Sequence, residues 1–168
     1  AIADVPAVYF VTPTEANVRR IARDCVLYNG GIHVNFASAC PRPLLELLAE
    51  EALSMDATHL IAKVYDQYLN FVALEDHLFS LNIPNSYLAL NEDGVRDDQI
   101  EAFIDRVTSG IFSALVTLGV VPIIRAPRGE AAEMVAKQLE QKLRAYLMDS
   151  AVAAGDTMAS TQRPVLLI

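Results

Sequence analysis

The chain has 168 residues, of which 53% are hydrophobic, and its formal net charge is −8 at pH 7. This length allows one domain or two small ones, and the apolar fraction is far above that of disordered chains, so a buried core is expected. The acidic balance argues against binding to nucleic acid or to an anionic membrane, because both require basic patches. No uninterrupted apolar run approaches the roughly 18 residues of a transmembrane helix.

The first elements alternate between a strand pattern and a helix pattern. Residues 8–11 predict a buried parallel strand, and residues 12–15 predict a helix start in which Thr12 caps and Pro13 takes the first helical position. Apolar residues then follow at helical spacing, at Val18, Ile21, Ala22 and Cys25. Asn29-Gly30-Gly31 is expected to end this helix.

Residues 32–37 predict a second strand, and Cys40-Pro41 opens a second helix whose apolar residues fall on two faces. These residues are Leu44, Leu45, Leu47, Leu48, Ala49, Ala52 and Leu53. One face is expected to cover the sheet, whereas the other is either packed by more protein or left for a partner. Residues 57–64 predict a short helix, and residues 68–74 predict the third strand.

The second half of the chain repeats the alternation with different spacing. Residues 78–81 are expected to be extended, and residues 91–98 form a polar loop in which Asp97 or Asp98 caps the next helix. The helical period then runs from Ile100 to Leu118 and ends at Gly119. A strand at 120–126, a helix at 131–148, a flexible loop at 151–161 and a final strand at 165–168 complete the prediction.

This pattern predicts the α/β fold class, with two incomplete, mostly parallel α/β units of the three-layer type and right-handed crossovers. The run at 165–168 has the character of a parallel strand but lacks the helix that normally follows one. The first predicted strand, close to Ala1, likewise has the character of a strand in the middle of a sheet. The chain is therefore expected to be a piece of a larger multidomain protein.

Residues that carry chemistry are scarce. The dinucleotide-binding Gly-x-Gly-x-x-Gly motif, the P-loop and the Gly-x-Ser-x-Gly nucleophile elbow are absent from the sequence. His33, His59 and His77 show no zinc-ligand spacing with one another or with Cys25 and Cys40, so no metal or other cofactor is expected. Because there is no Cys-x-x-Cys, both cysteines are expected to be free, buried thiols.

Two charged clusters keep an alternative open. Asp66 with Glu75 and Asp76 would allow general acid–base work, although a solvated strand end has the same composition. Arg125 and Arg128 precede a helix start, where anions bind, although the glutamates that follow favour a loop fixed by Arg–Glu pairs. The alternative function is an α/β enzyme domain, flavodoxin-like or hydrolase-like, with an unrecognised small-molecule site, which would need a ligand at the C-terminal ends of the strands, where no motif supports one.

The second apolar face of the Leu44–Leu53 helix also has two interpretations. Together with Ile61 and Val64 it would form an apolar groove for a partner peptide or helix. The other interpretation is that these side chains belong to the internal core. The residues alone do not decide between the two.

Several stretches together resemble one family. Residues 5–15 (VPAVYFVTPTE) resemble the strand-to-helix motif of the SM (Sec/Munc) proteins, the cytosolic chaperones of SNARE assembly in vesicle fusion. Residues 62–71 (AKVYDQYLNF), 116–125 (VTLGVVPIIR) and 128–136 (RGEAAEMVA) are similar to the ER-to-Golgi, Sly-type branch, and residues 162–168 resemble the strand that follows. The matches keep the family's order and spacing over nearly the whole chain.

The resemblance implies that residues 1–70 are the C-terminal part of SM domain 1, the α/β domain that binds a syntaxin N-peptide. Residues 71–168 would be the N-terminal part of domain 2, also α/β. It implies a non-enzymatic, cytoplasmic protein, peripheral to ER and Golgi membranes, that promotes SNARE assembly for vesicle docking and fusion. Its partners would be the N-terminal peptide of a syntaxin-type (Qa) SNARE and SNARE complexes, with no nucleic acid and with membrane association only through the SNAREs.

The resemblance also places a peptide pocket between the second helix and the segment before the last strand of the first domain. Carried over by position, one wall is formed by Leu45, Leu48 and Ala49. The opposite wall is formed by Ile61, Val64 and Tyr68. Asp66 would be an acidic group at the rim that pairs with a basic residue of the peptide.

Overall fold

The computed structural model describes residues 4–92, 94–153 and 163–168. The chain divides into two compact units, Ala1–Leu69 and Asn70–Ile168. This division lies beside the expected boundary between residues 70 and 71. Among the described residues, no helix is both long and apolar enough to cross a membrane.

The first unit alternates strands and helices. Its elements are β1 (Ala7–Val11), α1 (Glu15–Cys25), β2 (Ile32–Phe36), α2 (Arg42–Ser54), a 3-10 turn (Thr58–Leu60) and β3 (Ile61–Asp66). The strands form one parallel sheet in the order β1-β2-β3, so β3 is at one edge. The α/β class is confirmed for this unit.

Helices α1 and α2 pack side by side on one face of the sheet, where Arg19 of α1 forms an ion pair with Glu51 of α2. The side chains of Ile32, Val34 and Phe36 in β2 are buried beneath them. The opposite face is open among the described residues, and Val8 there is 71% exposed. The described part of this unit therefore has two layers rather than the expected three.

Helix α1 begins two residues later than predicted. The cap is Thr14, whose Oγ1 accepts a hydrogen bond from the Asn17 backbone N–H at 3.3 Å. Thr12 instead accepts from the Asn17 side-chain amide, at 3.0 Å to its carbonyl oxygen. The predicted cap was wrong because an N-cap oxygen must accept from an amide of the first helical turn. That turn begins at Glu15, and its Asn17 N–H is reached by the side chain of Thr14.

The predictions for residues 57–64 and 68–74 were wrong. Only Thr58–Leu60 form a helical turn, and the third strand is Ile61–Asp66. The β-branched residues Ile61 and Val64 suit an extended edge strand, and Val64 pairs with Val34 of β2. Tyr68 cannot continue this strand, because its backbone φ is +51°, in the left-handed region.

The second unit contains two small two-stranded sheets and three helices among the described residues. Its elements are β4 (Val72–Glu75), β5 (Leu78–Ser80), α3 (Ser86–Asn91), α4 (Asp97–Leu118), β6 (Ile123–Arg125), α5 (Ala131–Ala153) and β7 (Val165–Leu167). Strands β4 and β5 are antiparallel, whereas β6 and β7 are parallel as expected. The expectation of a mostly parallel unit therefore holds only for the second sheet.

Helices α4 and α5 pack against each other and supply the buried apolar residues of this unit. These are Ile104, Phe112, Ala114, Leu115, Val135, Leu139 and Leu143. At the surface of this contact, Lys142 Nζ donates to Asp105 Oδ1 at 2.8 Å and to Ser109 Oγ at 2.7 Å. Helix α4 ends at Gly119, whose φ of +65° is the left-handed cap that the sequence predicted.

Several boundaries in this unit differ from the predictions. The N-cap of α4 is Arg96 rather than Asp97 or Asp98, and its backbone N–H donates to Gln99 Oε1 at 3.1 Å. Residues Ser86–Asn91 form α3, which was not predicted. Helix α5 continues to Ala153, and the rest of the loop predicted at 151–161 lies outside the described residues.

Candidate binding surface

The candidate site is an apolar strip along the edge strand β3 and the adjoining side of α2. We call it the α2–β3 surface and define it by Leu45, Ala49, Ile61 and Val64. All four are in the first unit. They are four of the seven residues for which the sequence predicted peptide contacts.

Strand β3 contributes Ile61 and Val64 through its register with β2. Ile61 pairs with Ile32, and Val64 pairs with Val34. Paired residues of a ladder point to the same face of the sheet, so both side chains project toward the helix-covered face. Ile61 packs against the core, whereas Val64 is 38% exposed because no strand lies outside β3 among the described residues.

Helix α2 contributes Leu45 and Ala49, which are four residues apart and therefore lie on one side of the helix. The opposite flank carries Glu51, which reaches Arg19 of α1. At about 100° per residue, Leu45 and Ala49 lie on the flank that faces away from α1 and toward the β3 edge. Leu45 is 37% exposed, so its side chain is available to a partner.

Leu48 does not lie on this surface. Its side chain is 3% exposed and belongs to the hydrophobic core, together with Ile21, Val34 and Phe36. The predicted contact between Leu48 and a peptide is therefore corrected: the helix is rotated so that Leu48 faces the sheet. Its neighbours Leu45 and Ala49 are the exposed members of the predicted wall.

Asp66 is half-buried at the end of β3 and is engaged within the unit. Its Oδ1 accepts a hydrogen bond from the Cys40 backbone N–H at 3.2 Å. Burial raises the pKa of the Asp66 carboxyl above its usual range, and the Cys40 hydrogen bond opposes this shift. The carboxylate is thus already engaged by a backbone amide of the same unit, and its predicted pairing with a basic residue of the peptide stays a prediction.

The two cysteines are free and buried, so the predicted burial is confirmed. Burial, and secondarily the charge of Asp66, raises the pKa of the Cys40 thiol to about 11. Burial also raises the pKa of Cys25. Both thiols are therefore protonated at neutral pH, which is the opposite of what a reactive cysteine needs.

Tyr68 lies beyond the end of β3. Its two neighbours in the chain are hydrogen-bonded to the end of β2 and to Ala37, which follows β2. The Gln67 N–H donates to Phe36 O at 2.8 Å, and the Leu69 N–H donates to Ala37 O at 2.7 Å. The Tyr68 side chain is half-buried. The structure therefore puts Tyr68 at the boundary of the α2–β3 surface rather than within a wall strand.

The structure extends the strip by one residue that the predicted site omitted. Leu53 is exposed and lies one turn after Ala49 on α2. The signal for it was present in the sequence as the i, i+4, i+8 spacing of Leu45, Ala49 and Leu53. The α2 surface also carries an exposed ion pair in which Arg42 Nε lies 2.8 Å from Glu46 Oε1.

The second unit contains a cleft of about 420 Å³. It runs between β6 and the first turns of α5, and its basic residues are Arg128, Lys137 and Arg163. Arg163 donates to the carbonyl oxygens of Val121 at 3.1 Å and Pro122 at 2.9 Å. This guanidinium is thus occupied by backbone acceptors.

The loop before α5 is fixed differently from the prediction of Arg–Glu pairs. Glu133 Oε2 accepts from the Gly129 N–H at 2.6 Å, and Glu133 Oε1 lies 2.8 Å from Lys137 Nζ. The hydrogen bond from Lys137 first, and then that from Gly129, lowers the pKa of Glu133. Glu133 therefore pairs with Lys137 and with the backbone of the loop.

Within residues 4–92, 94–153 and 163–168, no group of three His, Cys, Asp or Glu side chains is arranged to hold a metal ion. Of the predicted carboxylate cluster, Asp66 ends β3 in the first unit, whereas Glu75 ends β4 in the second.

The whole chain matches a family model described as the Sec1 family, over residues 1–168. It is 49% identical over 170 residues to the SEC1 family transport protein SLY1 of Arabidopsis thaliana. It is 46% identical over 179 residues to the Sec1 family domain-containing protein 1 of Homo sapiens. These alignments cover 98% and 99% of the chain, which spans 27% and 28% of the length of the two relatives.

Solved structures give the same result. The fold is similar to that of Sly1p in a crystal structure with an N-terminal peptide of Sed5p, with a TM-score of 0.85 and 37% identity. That similarity covers 99% of this chain and 27% of the Sly1p chain. The Unc18–syntaxin 1 complex from Monosiga brevicollis is similar in fold, with a TM-score of 0.68 at 23% identity over 99% of this chain and 29% of the matched chain.

Proposed function

Because the chain belongs to the Sec1 family, as its resemblance to the SM proteins predicted, we propose that it is part of a protein that binds a syntaxin-type (Qa) SNARE. Relatives named SLY1 at 42–49% identity confirm the Sly-type branch. The proposed role is to promote SNARE assembly for vesicle docking and fusion in ER–Golgi transport. The observation that carries this proposal is the similarity to Sly1p in complex with a Sed5p N-terminal peptide.

The proposed occupant of the α2–β3 surface is the N-terminal peptide of the SNARE. Leu45, Ala49 and Val64 are exposed apolar residues of α2 and β3, and covering the exposed part of each of the two larger side chains contributes roughly 0.5–1 kcal/mol. A few such contacts suffice for peptide recognition in a groove. Ile61 and Tyr68 complete the proposed site, while Leu48 supports it from the core.

The two compact units fit the proposed domain assignment. Residues 1–70 would be the C-terminal part of the family's first domain, and residues 71–168 would be the N-terminal part of its second domain. We place the protein in the cytoplasm, at the surface of ER and Golgi membranes, with SNARE partners as its membrane link. The scarcity of chemistry-bearing groups on the α2–β3 surface supports a non-enzymatic role.

Binding of a labelled N-terminal peptide of Sed5p to the 168-residue chain tests the proposal. Val64→Lys is expected to weaken binding at least tenfold, because it places an ammonium group within the apolar contact. Val8→Lys is the matched control, since Val8 is also an exposed strand valine but lies on the open face of the same sheet. Fluorescence anisotropy gives both affinities.

The outcomes separate the parts of the proposal. If the unmodified chain does not bind the peptide, the proposed function of this chain is wrong. If Val64→Lys and Val8→Lys bind equally well, the peptide binds elsewhere and the placement on the α2–β3 surface is wrong. A nucleotide or flavin that co-purifies with the chain would instead favour the alternative, an α/β enzyme domain.

A further inference from the structure

The end of β3 and the residues after it are hydrogen-bonded to the end of β2 and to the segment between β2 and α2. Beyond the two backbone bonds that flank Tyr68, Gln67 Nε2 donates to Asn35 Oδ1 at 2.8 Å. The Asp66 carboxylate accepts from the Cys40 N–H. Of these bonds, the one to Asp66 reaches closest to the start of α2, because Cys40 immediately precedes the N-cap residue Pro41.

Helix α2 begins without a local acceptor for the Cys40 amide. The N-cap is Pro41, whose side chain has no hydrogen-bonding group, and the first turn starts with Arg42 and Pro43. Cys40 is 9% exposed, and its N–H has its hydrogen-bond partner within the protein. Asp66 supplies that partner from β3, the strand on the other side of the α2–β3 surface.

We propose that Asp66 is a positioning residue, which holds the first turn of α2 against the end of β3 and so fixes Leu45 relative to Val64. This inference rests on the proposed peptide-binding function. In this role the acceptor oxygen matters and the charge does not. It therefore differs from the expectation that Asp66 is a charged rim group that pairs with a basic residue of the peptide.

Two substitutions distinguish the roles. Asp66→Asn keeps an acceptor oxygen and a planar side chain of the same size but removes the charge, whereas Asp66→Ala removes the acceptor. Affinity for the N-terminal peptide of Sed5p is measured by anisotropy in the 168-residue chain. Asp66→Ala is expected to weaken binding about tenfold, and Asp66→Asn is expected to stay within about twofold of the unmodified chain.

Three results would overturn the positioning role. Equal losses in Asp66→Asn and Asp66→Ala would mean that the charge pairs with the peptide. Unchanged affinity in Asp66→Ala, with only a lower melting temperature, would mean that the hydrogen bond stabilises the fold and nothing more. The third result is a Cys40 amide that exchanges without protection in the unmodified chain or in Asp66→Asn, because the proposed hydrogen bond requires protection in both. This measurement remains decisive if Asp66→Ala does not fold.

The test also separates this inference from the proposed function. A chain that does not bind the peptide contradicts the proposed function, and a Val64→Lys variant that binds normally contradicts the placement of the site. A chain that binds and depends on Val64, but whose affinity is lost in Asp66→Asn, contradicts only the positioning role.

Discussion

The two helices of the first unit have similar lengths and neighbouring positions on the sheet, yet their apolar residues are distributed differently. Helix α1 has one apolar stripe, Val18, Ile21, Ala22 and Cys25, and all four residues are buried. Its other faces carry charged residues, and its own Thr14 caps it. Helix α1 thus has as many apolar residues as its packing requires.

Helix α2 has more apolar residues than its packing requires. Leu48 and Ala52 are buried, while Leu45 and Leu53 are exposed. The N–H of Cys40, just before its N-cap, donates to Asp66 of β3, whereas α1 is capped locally by Thr14. An apolar surplus on one flank and a hydrogen bond from a neighbouring element thus distinguish α2, the helix for which we propose a partner, from α1.

The largest expected effect separates the two sides of α2. Leu48→Ala is expected to destabilise the first unit by about 2–5 kcal/mol, because it leaves a cavity in the core. Leu45→Ala is the matched control, and its expected cost is below about 1 kcal/mol, since the side chain is half-exposed in the free protein. Hydrogen exchange of the β2 amides, measured at increasing urea concentrations, reports the stability of this unit.

Peptide affinity should respond in the opposite order. Leu45→Ala is expected to weaken binding several-fold in a chain that is still folded, whereas Leu48→Ala should act mainly through stability. A change such as Leu48→Lys would place an ammonium group in the core and unfold the unit, so it would not report on binding. If Leu48→Ala costs no more stability than Leu45→Ala, the assigned rotation of α2 is wrong.

The rotation of α2 was the part of the site that the sequence did not determine. Leucines at 44, 45, 47 and 48 satisfy a helical period in more than one phase, so the pattern alone allows several faces toward the sheet. The phase is set by tertiary contacts, namely the Arg19–Glu51 ion pair and the packing of Leu48 in the core. In α1 a single apolar phase exists, and its buried face was predicted in full.

The third strand was missed for a related reason. Residues 57–64 contain residues such as Ala57, Leu60 and Ala62 that are compatible with a helix, and a local pattern gives them no strand alternation. Their extended conformation depends on the ladder with β2, which includes a register shift between Ile32 and His33. The extended backbone cannot continue through Tyr68, whose φ lies in the left-handed region, and a tyrosine in the sequence does not predict that conformation.

An intermediate effect tests whether α1 is capped locally. Thr14→Ala is expected to cost about 1 kcal/mol, because the Asn17 N–H loses its side-chain acceptor. Thr12→Ala is the matched control and should cost less, since the Thr12 Oγ1 accepts only a 3.4 Å hydrogen bond from the Asn17 side chain. Neither change should alter peptide affinity, because α1 lies on the other flank of α2. Equal costs for the two threonines would contradict the assigned cap.

The smallest expected effect concerns the charge of Asp66 and its dependence on pH. Burial raises the pKa of this carboxyl in the folded protein, so the folded state binds a proton more readily than the unfolded state does. Ionisation of Asp66 therefore disfavours folding, and this penalty develops as the pH rises from the ordinary aspartate pKa through the raised folded value.

Asp66→Asn removes that penalty and keeps an acceptor for the Cys40 N–H. The variant is expected to gain stability relative to the unmodified chain as the pH rises through this window, with a constant difference above it and none that is due to ionisation below it. Denaturation of both proteins between acidic and neutral pH measures the difference. If the unmodified chain instead gained on the variant as the pH rose, the Asp66 carboxylate would be stabilised by its surroundings, and the hydrogen bond from Cys40 would outweigh burial. Asp66 would then contribute at the start of α2 through its charge, in the way that an acidic residue near a helix N-terminus does, rather than through acceptor geometry alone.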